Sequence, residues 1–279
     1  MPLVTINGAQ LHYTDEGAGA ETIVFAHGLL FSSQMFAAQI AALKDEYRCI
    51  AYDHRGQGQS EVTLSGYDMD SLTDDAAGLI EELRLGPCHF VGLSMGGFLG
   101  MRLGLRRPDL LRSLTLIDTT ADPEPAQNQT RYRMLNFIAR WFGLGVVVGQ
   151  VLPIVFGQTF LNDPERASER KLWRRRIAGS HRLGITRAVT GVIERQGVAE
   201  TIAAIRLPTL ILVGAEDVAT PPEQSKRIAA AISGSTLKVI AGAGHSAAIE
   251  QPAAVSTAIA TFVGAVPGAG GSVPSVPVG

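Results

Sequence analysis

The feature that most constrains this chain is a Gly-x-Ser-x-Gly turn, formed by Gly92, Ser94 and Gly96. The apolar residues 88–91 before it predict a buried strand. The run after it, which ends at Arg107 before a proline, predicts a helix. Such a turn is sharp, so it holds the serine on a strained backbone with its hydroxyl exposed. Side chains at the two glycine positions would collide across the turn. The pattern is typical of a nucleophile elbow.

Short apolar runs alternate with amphipathic helical patterns on both sides of this turn. Because each strand is continuously apolar, the alternation predicts a mostly parallel sheet covered by helices on both faces. Ligands of such sheets bind beyond the carboxyl ends of the strands. The polar residues that fall at or just past a predicted strand end, and are expected at one rim, are His27, Asp53, Ser94, Asp118, Asp217 and His245.

Charge and cysteine content narrow the class of protein. The formal net charge is −2 and the hydrophobic fraction is 46%, which predicts a globular protein with no electrostatic footprint for nucleic acid or an anionic membrane. Cys49 and Cys88 lie in apolar runs and are interpreted as buried thiols in a reducing compartment. The N-terminal residues lack the basic start and apolar core of a signal peptide. A cytoplasmic location is therefore expected.

The strand pattern stops between residues 122 and 204, where the sequence becomes helical and is interrupted by prolines. We therefore expect residues 1–121 and 205–263 to form one α/β core, with residues 122–204 as a helical insertion. The insertion carries more apolar side chains than an exposed segment needs, so part of it should cover the core. Residues 264–279 are rich in Gly, Pro, Ser and Val without a charged side chain, which predicts a flexible tail.

Together these motifs resemble those of the alpha/beta-hydrolase superfamily, in particular its capped esterases, lactonases and cofactor-free haloperoxidases. The resemblance covers about residues 3–263. The motifs that carry it are His27-Gly28, Asp53-x-Arg55-Gly56-x-Gly58-x-Ser60, Gly92-x-Ser94-x-Gly96-Gly97, Gly214-x-x-Asp217 and Gly244-His245. The resemblance implies an α/β architecture with a mostly parallel sheet of eight strands, helices on both faces and a helical cap at residues 122–204.

The order Ser94, Asp217, His245 is the nucleophile–acid–histidine order of this fold. A serine hydroxyl is a poor nucleophile near neutral pH, so it needs a base, and the base needs a carboxylate that fixes its tautomer. The resemblance assigns these roles to Ser94, His245 and Asp217. Asp118 also ends a predicted strand and remains a second candidate for the acid, since some relatives place it there. His27 is expected to have a structural role in the loop after its strand.

The resemblance also implies an oxyanion hole and a substrate pocket. The donors to the oxyanion would be the backbone N–H groups of Leu29, in the loop after the third strand, and Met95, which follows the nucleophile. The candidate pocket residues are all apolar: Leu30, Trp141, Phe142 and Val218. A pocket without polar side chains near the nucleophile should favour an apolar acyl group.

The function implied is that of a serine hydrolase which cleaves a small carboxylic ester or lactone with water, through an acyl-enzyme. Two alternatives stay open: a cofactor-free haloperoxidase or perhydrolase with the same triad, and a non-catalytic ligand receptor on the same scaffold. No cofactor is expected, because no glycine motif continues into Gly-Lys-Ser or Gly-Lys-Thr, and no metal, because the histidines lack ligand spacing. The expected partners are substrate and water, neither nucleic acid nor membrane, and the sequence leaves a homodimer open.

Overall fold

The computed structural model describes residues 2–267, which form one eight-stranded sheet flanked by helices. The strands are β1 Leu3–Ile6, β2 Ala9–Glu16, β3 Thr22–Ala26, β4 Arg48–Tyr52, β5 Cys88–Leu93, β6 Leu111–Ile117, β7 Thr209–Gly214 and β8 Thr236–Ile240. Their order in the sheet is β1-β2-β4-β3-β5-β6-β7-β8. The β1–β2 and β2–β4 pairs are antiparallel and the other pairs are parallel. The predicted mostly parallel sheet of eight strands is confirmed.

Helices cover both faces of this sheet. Their bounds are α1 Ala37–Leu43, α2 Met69–Glu82, α3 Met95–Arg106, α4 Ala126–Phe142, α5 Leu144–Val155, α6 Gln158–Asn162, α7 Ala167–Gly179, α8 Arg182–Ile193, α9 Pro222–Ala231, α10 Ala247–Glu250 and α11 Pro252–Ala265. One core holds Leu79 of α2, Leu99 of α3 and Ile228 of α9. The opposite core holds Ile40 of α1 and Ile259 of α11. Each face is apolar because successive strand residues point to opposite sides of the sheet.

The helices α4 to α8 separate β6 from β7, and no strand lies among them in the part of the chain that the structure describes. Within this insertion α4 packs against α5 and α8, and α5 packs against α7. The side chains that form its own small core are Leu135, Ala139, Leu144, Val147 and Ile185. Over residues 2–267, every helix is too short or too polar to span a membrane.

The last helix is longer than the sequence pattern indicates. We expected the uncharged tail to begin at residue 264, but α11 continues to Ala265. It ends there because Val266 precedes a proline, which disfavours the helical backbone, and Val266 is extended with φ −76° and ψ 124°. The rest of the predicted tail, residues 268–279, lies outside the described residues.

The turn around Ser94 leaves no room for side chains at its glycines. A Cβ on Gly92 would collide with the Gly96 carbonyl oxygen, and a Cβ on Gly96 would collide with the Ala26 carbonyl oxygen of β3. Farther along α3, a Cβ on Gly104 would lie 2.9 Å from Leu114 Cδ1 of β6. The predicted collision across the turn is confirmed, and the glycines let α3 lie directly against the sheet.

We expect Gly96→Ala to destabilise the protein, because the new Cβ would meet a backbone carbonyl of a central strand. Such overpacking typically costs about 1–3 kcal/mol in the free energy of unfolding. Gly149→Ala is the matched control, since Gly149 lies inside α5 with open space around it and Ala is favoured over Gly there by up to about 1 kcal/mol. Urea unfolding measures both. Equal midpoints for wild type and Gly96→Ala would contradict the packing described.

Candidate active site

Ser94 lies between β5 and α3 on a strained backbone. Its φ is 52° and its ψ −111°, a combination that residues with a side chain rarely adopt. Its N–H donates to the Ile117 carbonyl (2.9 Å), and its own carbonyl accepts from the Gly97 N–H (2.9 Å) and the Thr119 hydroxyl (2.9 Å). These bonds hold Ser94 in place between β6 and α3, and the strained turn predicted from the motif is confirmed.

A chain of hydrogen bonds leads from Ser94 through His245 to Asp217. His245 Nε2 lies 2.9 Å from Ser94 Oγ. His245 Nδ1 lies 2.9 Å from Asp217 Oδ2. Because a carboxylate only accepts hydrogen bonds, Nδ1 carries the proton and donates to Asp217, which leaves Nε2 to accept from the serine hydroxyl. The structure thus brings together three residues from three separate strand ends, in the arrangement that activates a serine.

The Asp217 carboxylate is held by the turn that it begins. Asp217 Oδ1 accepts from the N–H groups of Ala219 (2.8 Å) and Thr220 (2.9 Å). The Thr220 hydroxyl donates to Asp217 Oδ2 (2.8 Å) and lies 3.2 Å from His245 Nδ1. We did not predict a role for Thr220 from the sequence, although a carboxylate that accepts from the N–H groups two and three residues on is a common turn.

Asp118, the second candidate for the acid, has a different task. It is fully buried, and its two oxygens accept from the N–H groups of Gly214 (2.8 Å) and Ala247 (2.9 Å). It therefore ties the end of β7, just before the turn of Asp217, to the start of α10, just after His245. Burial, with the nearby charge of Asp217, raises the pKa of the Asp118 carboxyl well above its ordinary value.

Glu250 anchors the loop that carries His245, a role that we missed at the sequence level because no motif surrounds it. Its carboxylate accepts from the N–H groups of Gly157 (2.8 Å), Gly244 (3.0 Å) and Ser246 (3.0 Å). Since Gly157 belongs to the insertion, the same side chain joins the insertion to the histidine loop. Burial raises the pKa of Glu250, although these donors act against it.

The protonation of His245 depends on the acids around it. Burial acts to lower the pKa of His245, but the charge and hydrogen bond of Asp217, with the charges of Asp118 and Glu250, raise it above the ordinary value of 6.5. The imidazole is therefore a stronger base than a free histidine and remains next to the serine hydroxyl. Such a base is suited to proton transfer near neutral pH.

Two backbone N–H groups near Ser94 have no acceptor among residues 2–267, those of Leu29 and Met95. Met95 is the first residue of α3, so its N–H is one of the free donors at a helix start. Leu29 lies in the loop after β3 and lines the cavity described below. The next residue, Leu30, has φ 73° and donates its N–H to Gln57 Oε1 (3.0 Å), which fixes this loop.

His27 and Asp53 support the loops of the rim, and within residues 2–267 their hydrogen bonds go to groups other than Ser94. His27 Nδ1 donates to the Gly28 carbonyl (2.7 Å), and its Nε2 accepts from the His54 N–H (3.0 Å). Burial lowers the pKa of His27 to about 4, so the ring stays neutral. Asp53 accepts from the Ser33 N–H (2.7 Å). The structural role expected for His27 is confirmed.

Above Ser94 and His245 lies a cavity of about 150 Å³, a volume that accepts a molecule of the size of benzene when the walls are apolar. Most of its wall is aliphatic and comes from three helices of the insertion. The apolar lining residues are Leu29, Leu30, Phe98, Leu135, Ala139, Leu144, Val147, Val151, Ile154, Val155, Ile185, Val189, Val192, Ile193 and Ala219. Leu30 therefore lines the cavity as predicted.

Apart from Ser94, Thr220 and His245, the polar part of the cavity wall is formed by Glu124, Tyr132, Asn136 and Arg195. Arg195 Nη1 donates to Glu124 Oε2 (2.8 Å), and both side chains are buried. Asn136 Oδ1 is buried without a hydrogen-bond partner in residues 2–267. Because the arginine and glutamate charges offset each other, this wall offers hydrogen bonds rather than net charge.

Three predicted pocket residues lie elsewhere. Trp141 is 64%, Phe142 69% and Val218 66% exposed, and none of them lines the cavity. The prediction was wrong for Trp141 and Phe142 because α4 presents Leu135 and Ala139 to the cavity and turns its aromatic side to the solvent. It was wrong for Val218 because the turn after Asp217 lines the cavity with Ala219 and Thr220 instead. An apolar helix with two apolar sides gives no sequence signal for which side faces inward.

The chain belongs to the alpha/beta hydrolase fold family, whose model matches residues 21–252. Its structure is similar to that of a thermophilic esterase from Thermogutta terrifontis, with a TM-score of 0.87 and 32% identity, covering 95% of this chain and 98% of that one. It is 26% identical over 258 residues to a putative carbamate hydrolase RutD of Pseudomonas syringae pv. syringae (strain B728a), covering 90% and 96% of the two chains. It is 29% identical over 258 residues to 3-oxoadipate enol-lactonase 2 of Acinetobacter baylyi, covering 92% and 94%. These relatives identify the chain as a hydrolase.

The pKa of His245 can be tested by NMR titration of its ring protons. We expect a midpoint above 6.5 in the wild type and a lower one in Asp217→Asn, because burial alone lowers the pKa. Since the folded-state pKa lies above the unfolded one, protonated His245 stabilises the fold below pH 6.5, and this is lost as the pH rises through the folded pKa. His27 is the control and should stay neutral near pH 6. A wild-type His245 midpoint below 6.5 would contradict the geometry.

Proposed function

We propose that this protein is a serine hydrolase that cleaves a small carboxylic ester or lactone through an acyl-enzyme. The observation that carries the proposal is the unbroken hydrogen-bond chain from Ser94 Oγ through His245 to Asp217 at the base of an apolar cavity. Ser94 is the nucleophile, His245 the general base and Asp217 the residue that fixes and stabilises the imidazolium. Membership in a hydrolase family and the enol-lactonase and esterase relatives support it.

In the first step, Ser94 Oγ attacks the substrate carbonyl carbon while His245 Nε2 takes the hydroxyl proton. The carbonyl oxygen becomes an oxyanion, which the free N–H groups of Leu29 and Met95 would stabilise. Loss of one such donor typically raises the barrier by about 3 kcal/mol. The imidazolium then gives its proton to the leaving alcohol oxygen, the bond from the carbonyl carbon to that oxygen breaks, and an acyl-Ser94 ester remains.

In the second step, water repeats the sequence on the acyl-enzyme. His245 Nε2 takes a proton from water, the hydroxide oxygen bonds to the acyl carbon, and the proton returns to Ser94 Oγ as its ester bond breaks. The product is a carboxylic acid, or a hydroxy acid where the substrate is a lactone. Asp217 keeps its proton-free state throughout and holds His245 in the required tautomer.

The cavity wall favours an ester or lactone with an apolar acyl group. Leu29, Leu30 and Phe98, which line the cavity together with Ser94, offer no polar side chain. A carbamate, the substrate class in the names of several relatives, would carry N–H groups that only the wall of Glu124, Tyr132 and Asn136 could pair. Against Leu29, Leu30 and Phe98 an unpaired N–H costs free energy. The volume of about 150 Å³ favours a short acyl chain.

The insertion also belongs to this proposal, as a cap over the triad. Residues of α4, α5 and α8 supply most of the cavity wall, and Glu250 joins the insertion to the loop of His245. A largely apolar roof limits the access of bulk water, which strengthens the hydrogen bonds to a developing oxyanion. We therefore assign substrate selection to residues 122–204 and bond cleavage to the sheet.

The proposal is tested with Ser94→Ala and p-nitrophenyl butyrate. Removing the nucleophile should lower kcat by about 10⁵- to 10⁶-fold, as in other serine hydrolases, with thermal stability unchanged. Ser168→Ala, an exposed serine of α7, is the matched control and should keep full activity. A γ-lactone and a p-nitrophenyl carbamate complete the panel. Retention of most activity by Ser94→Ala, or faster turnover of the carbamate than of the ester, would overturn the proposal.

Replacing Asp217 should mainly affect kcat, whereas replacing Asp118 should mainly affect the melting temperature. Asp217→Asn should lower kcat by about 10⁴-fold, because an amide holds His245 in the wrong tautomer. Asp118→Asn should lower the melting temperature, because an amide nitrogen would face the N–H of Gly214 or Ala247. Its kcat should change much less in the protein that remains folded. Active-site titration separates the two effects. A larger kcat loss in Asp118→Asn would assign the acid to Asp118.

A further inference from the structure

The insertion presents a group of large apolar side chains to solvent, on α4 and at the start of α5. Its large side chains are each more than half exposed, and we call them the outer face: Met134, Phe137, Trp141, Phe142 and Val146. The members on α4 recur at helical spacing, and the rings of Phe137 and Trp141 lie 6.4 Å apart. An apolar patch of this kind on a globular protein marks a contact surface.

Within α4 and α5, the neighbours of the outer face are uncharged or basic, although Phe137 and Arg140 also line a groove with Asp68, Asp70 and Glu194 of other elements. No charged residue occurs from 141 to 162, and α4 contains three arginines and no acid. Over residues 126–193 the chain has eleven Lys and Arg against three Asp and Glu, a formal charge of +8 in a protein whose net charge is −2. From the low net charge we expected no electrostatic footprint for a membrane. The charge is nevertheless unevenly distributed, with the insertion positive and the rest of the chain negative.

Most of these basic side chains form no salt bridge within residues 2–267. The exposed basic side chains of the insertion that make no salt bridge within residues 2–267 are Arg131, Arg140, Lys171, Arg174, Arg175, Arg176 and Arg182. Of these, Arg131 and Arg140 lie on α4 itself, beside the outer face. An aromatic, uncharged surface bordered by free arginines is the composition of a helix that lies in the interface of an anionic membrane.

We propose that the outer face docks on an anionic lipid surface. Phe137, Trp141 and Phe142 would enter the boundary between headgroups and acyl chains, while the arginines contact the phosphates. Contact with a second copy of the chain is disfavoured by charge, because an isologous interface through α4 would place the same arginines of two copies together. No carboxylate of α4 or α5 is present to pair with them.

Docking in this orientation has a consequence for the cavity. The same two helices that carry the outer face also line the cavity from their other side. Leu135 and Ala139 of α4 and Val147 of α5 belong to that lining. The roof of the active site would thus lie on the lipid surface, where apolar esters and lactones concentrate. The docking itself does not depend on the proposed reaction, since it can be measured without turnover.

The test is flotation of the purified full chain with vesicles of phosphatidylcholine, alone or with about one third phosphatidylglycerol. We expect the wild type to float with the anionic vesicles and about tenfold less with pure phosphatidylcholine. Trp141→Ser/Phe142→Ser and, separately, Arg131→Ser/Arg140→Ser should each reduce flotation by about tenfold. The matched controls are Leu3→Ser, an exposed apolar residue of β1, and Arg84→Ser/Lys238→Ser, exposed cations outside the insertion. Both controls should float like the wild type.

Melting temperatures verify that each variant is folded, which is expected because the altered side chains are exposed. The proposal is overturned if the wild type floats with neither kind of vesicle, or if it floats equally with both. It is also overturned if light scattering shows a dimer that Trp141→Ser/Phe142→Ser dissociates, because the outer face would then be occupied by a second copy. Hydrolysis of p-nitrophenyl butyrate in solution should be equal in the two outer-face variants and the wild type.

Discussion

The close contact between α3 and the central sheet is the constraint on which the rest of the site depends. The Ala26 carbonyl fills the space next to Gly96, so the chain leaves β5 and enters α3 without room for a Cβ. That contact forces Ser94 into φ 52° and ψ −111°, and its neighbours Ile117, Gly97 and Thr119 offset the strain with hydrogen bonds. The result is a hydroxyl that stands at the strand ends, beside the first N–H groups of a helix.

Three buried carboxylates, those of Asp217, Asp118 and Glu250, position the histidine that lies next to Ser94. Asp217 contacts His245 directly, while Asp118 and Glu250 hold the backbone on either side of the histidine loop. All three raise the pKa of His245 against the effect of burial. The same three buried carboxylates therefore fix the loops around His245 and make its imidazole more basic.

The insertion has two apolar sides, and they have different neighbours. The side with Leu135 and Ala139 lines the cavity, whereas the side with Trp141 and Phe142 faces solvent among free arginines. Under the proposed function, changes in the insertion would alter the substrate while Ser94, Asp217 and His245 stay fixed at the ends of the strands. Family membership accordingly says more about how this protein cleaves a bond than about which bond it cleaves.

The sequence by itself determined the sheet, its helices and the rim, because buried parallel strands and glycine turns leave strong local patterns. The order of Ser94, Asp217 and His245 followed from those patterns. The sequence favoured Asp217 over Asp118 as the acid, and the tertiary structure added which groups each contacts: His245 for Asp217, and the backbone N–H groups of Gly214 and Ala247 for Asp118. The structure also showed which side of α4 faces the cavity and which faces solvent. It placed Thr220 beside Asp217 and Glu250 beside the loop of His245, roles that depend on contacts between distant segments. Local spacing carries no information about such contacts, so the fold and the polar residues at the rim could be predicted, while most of the pocket could not.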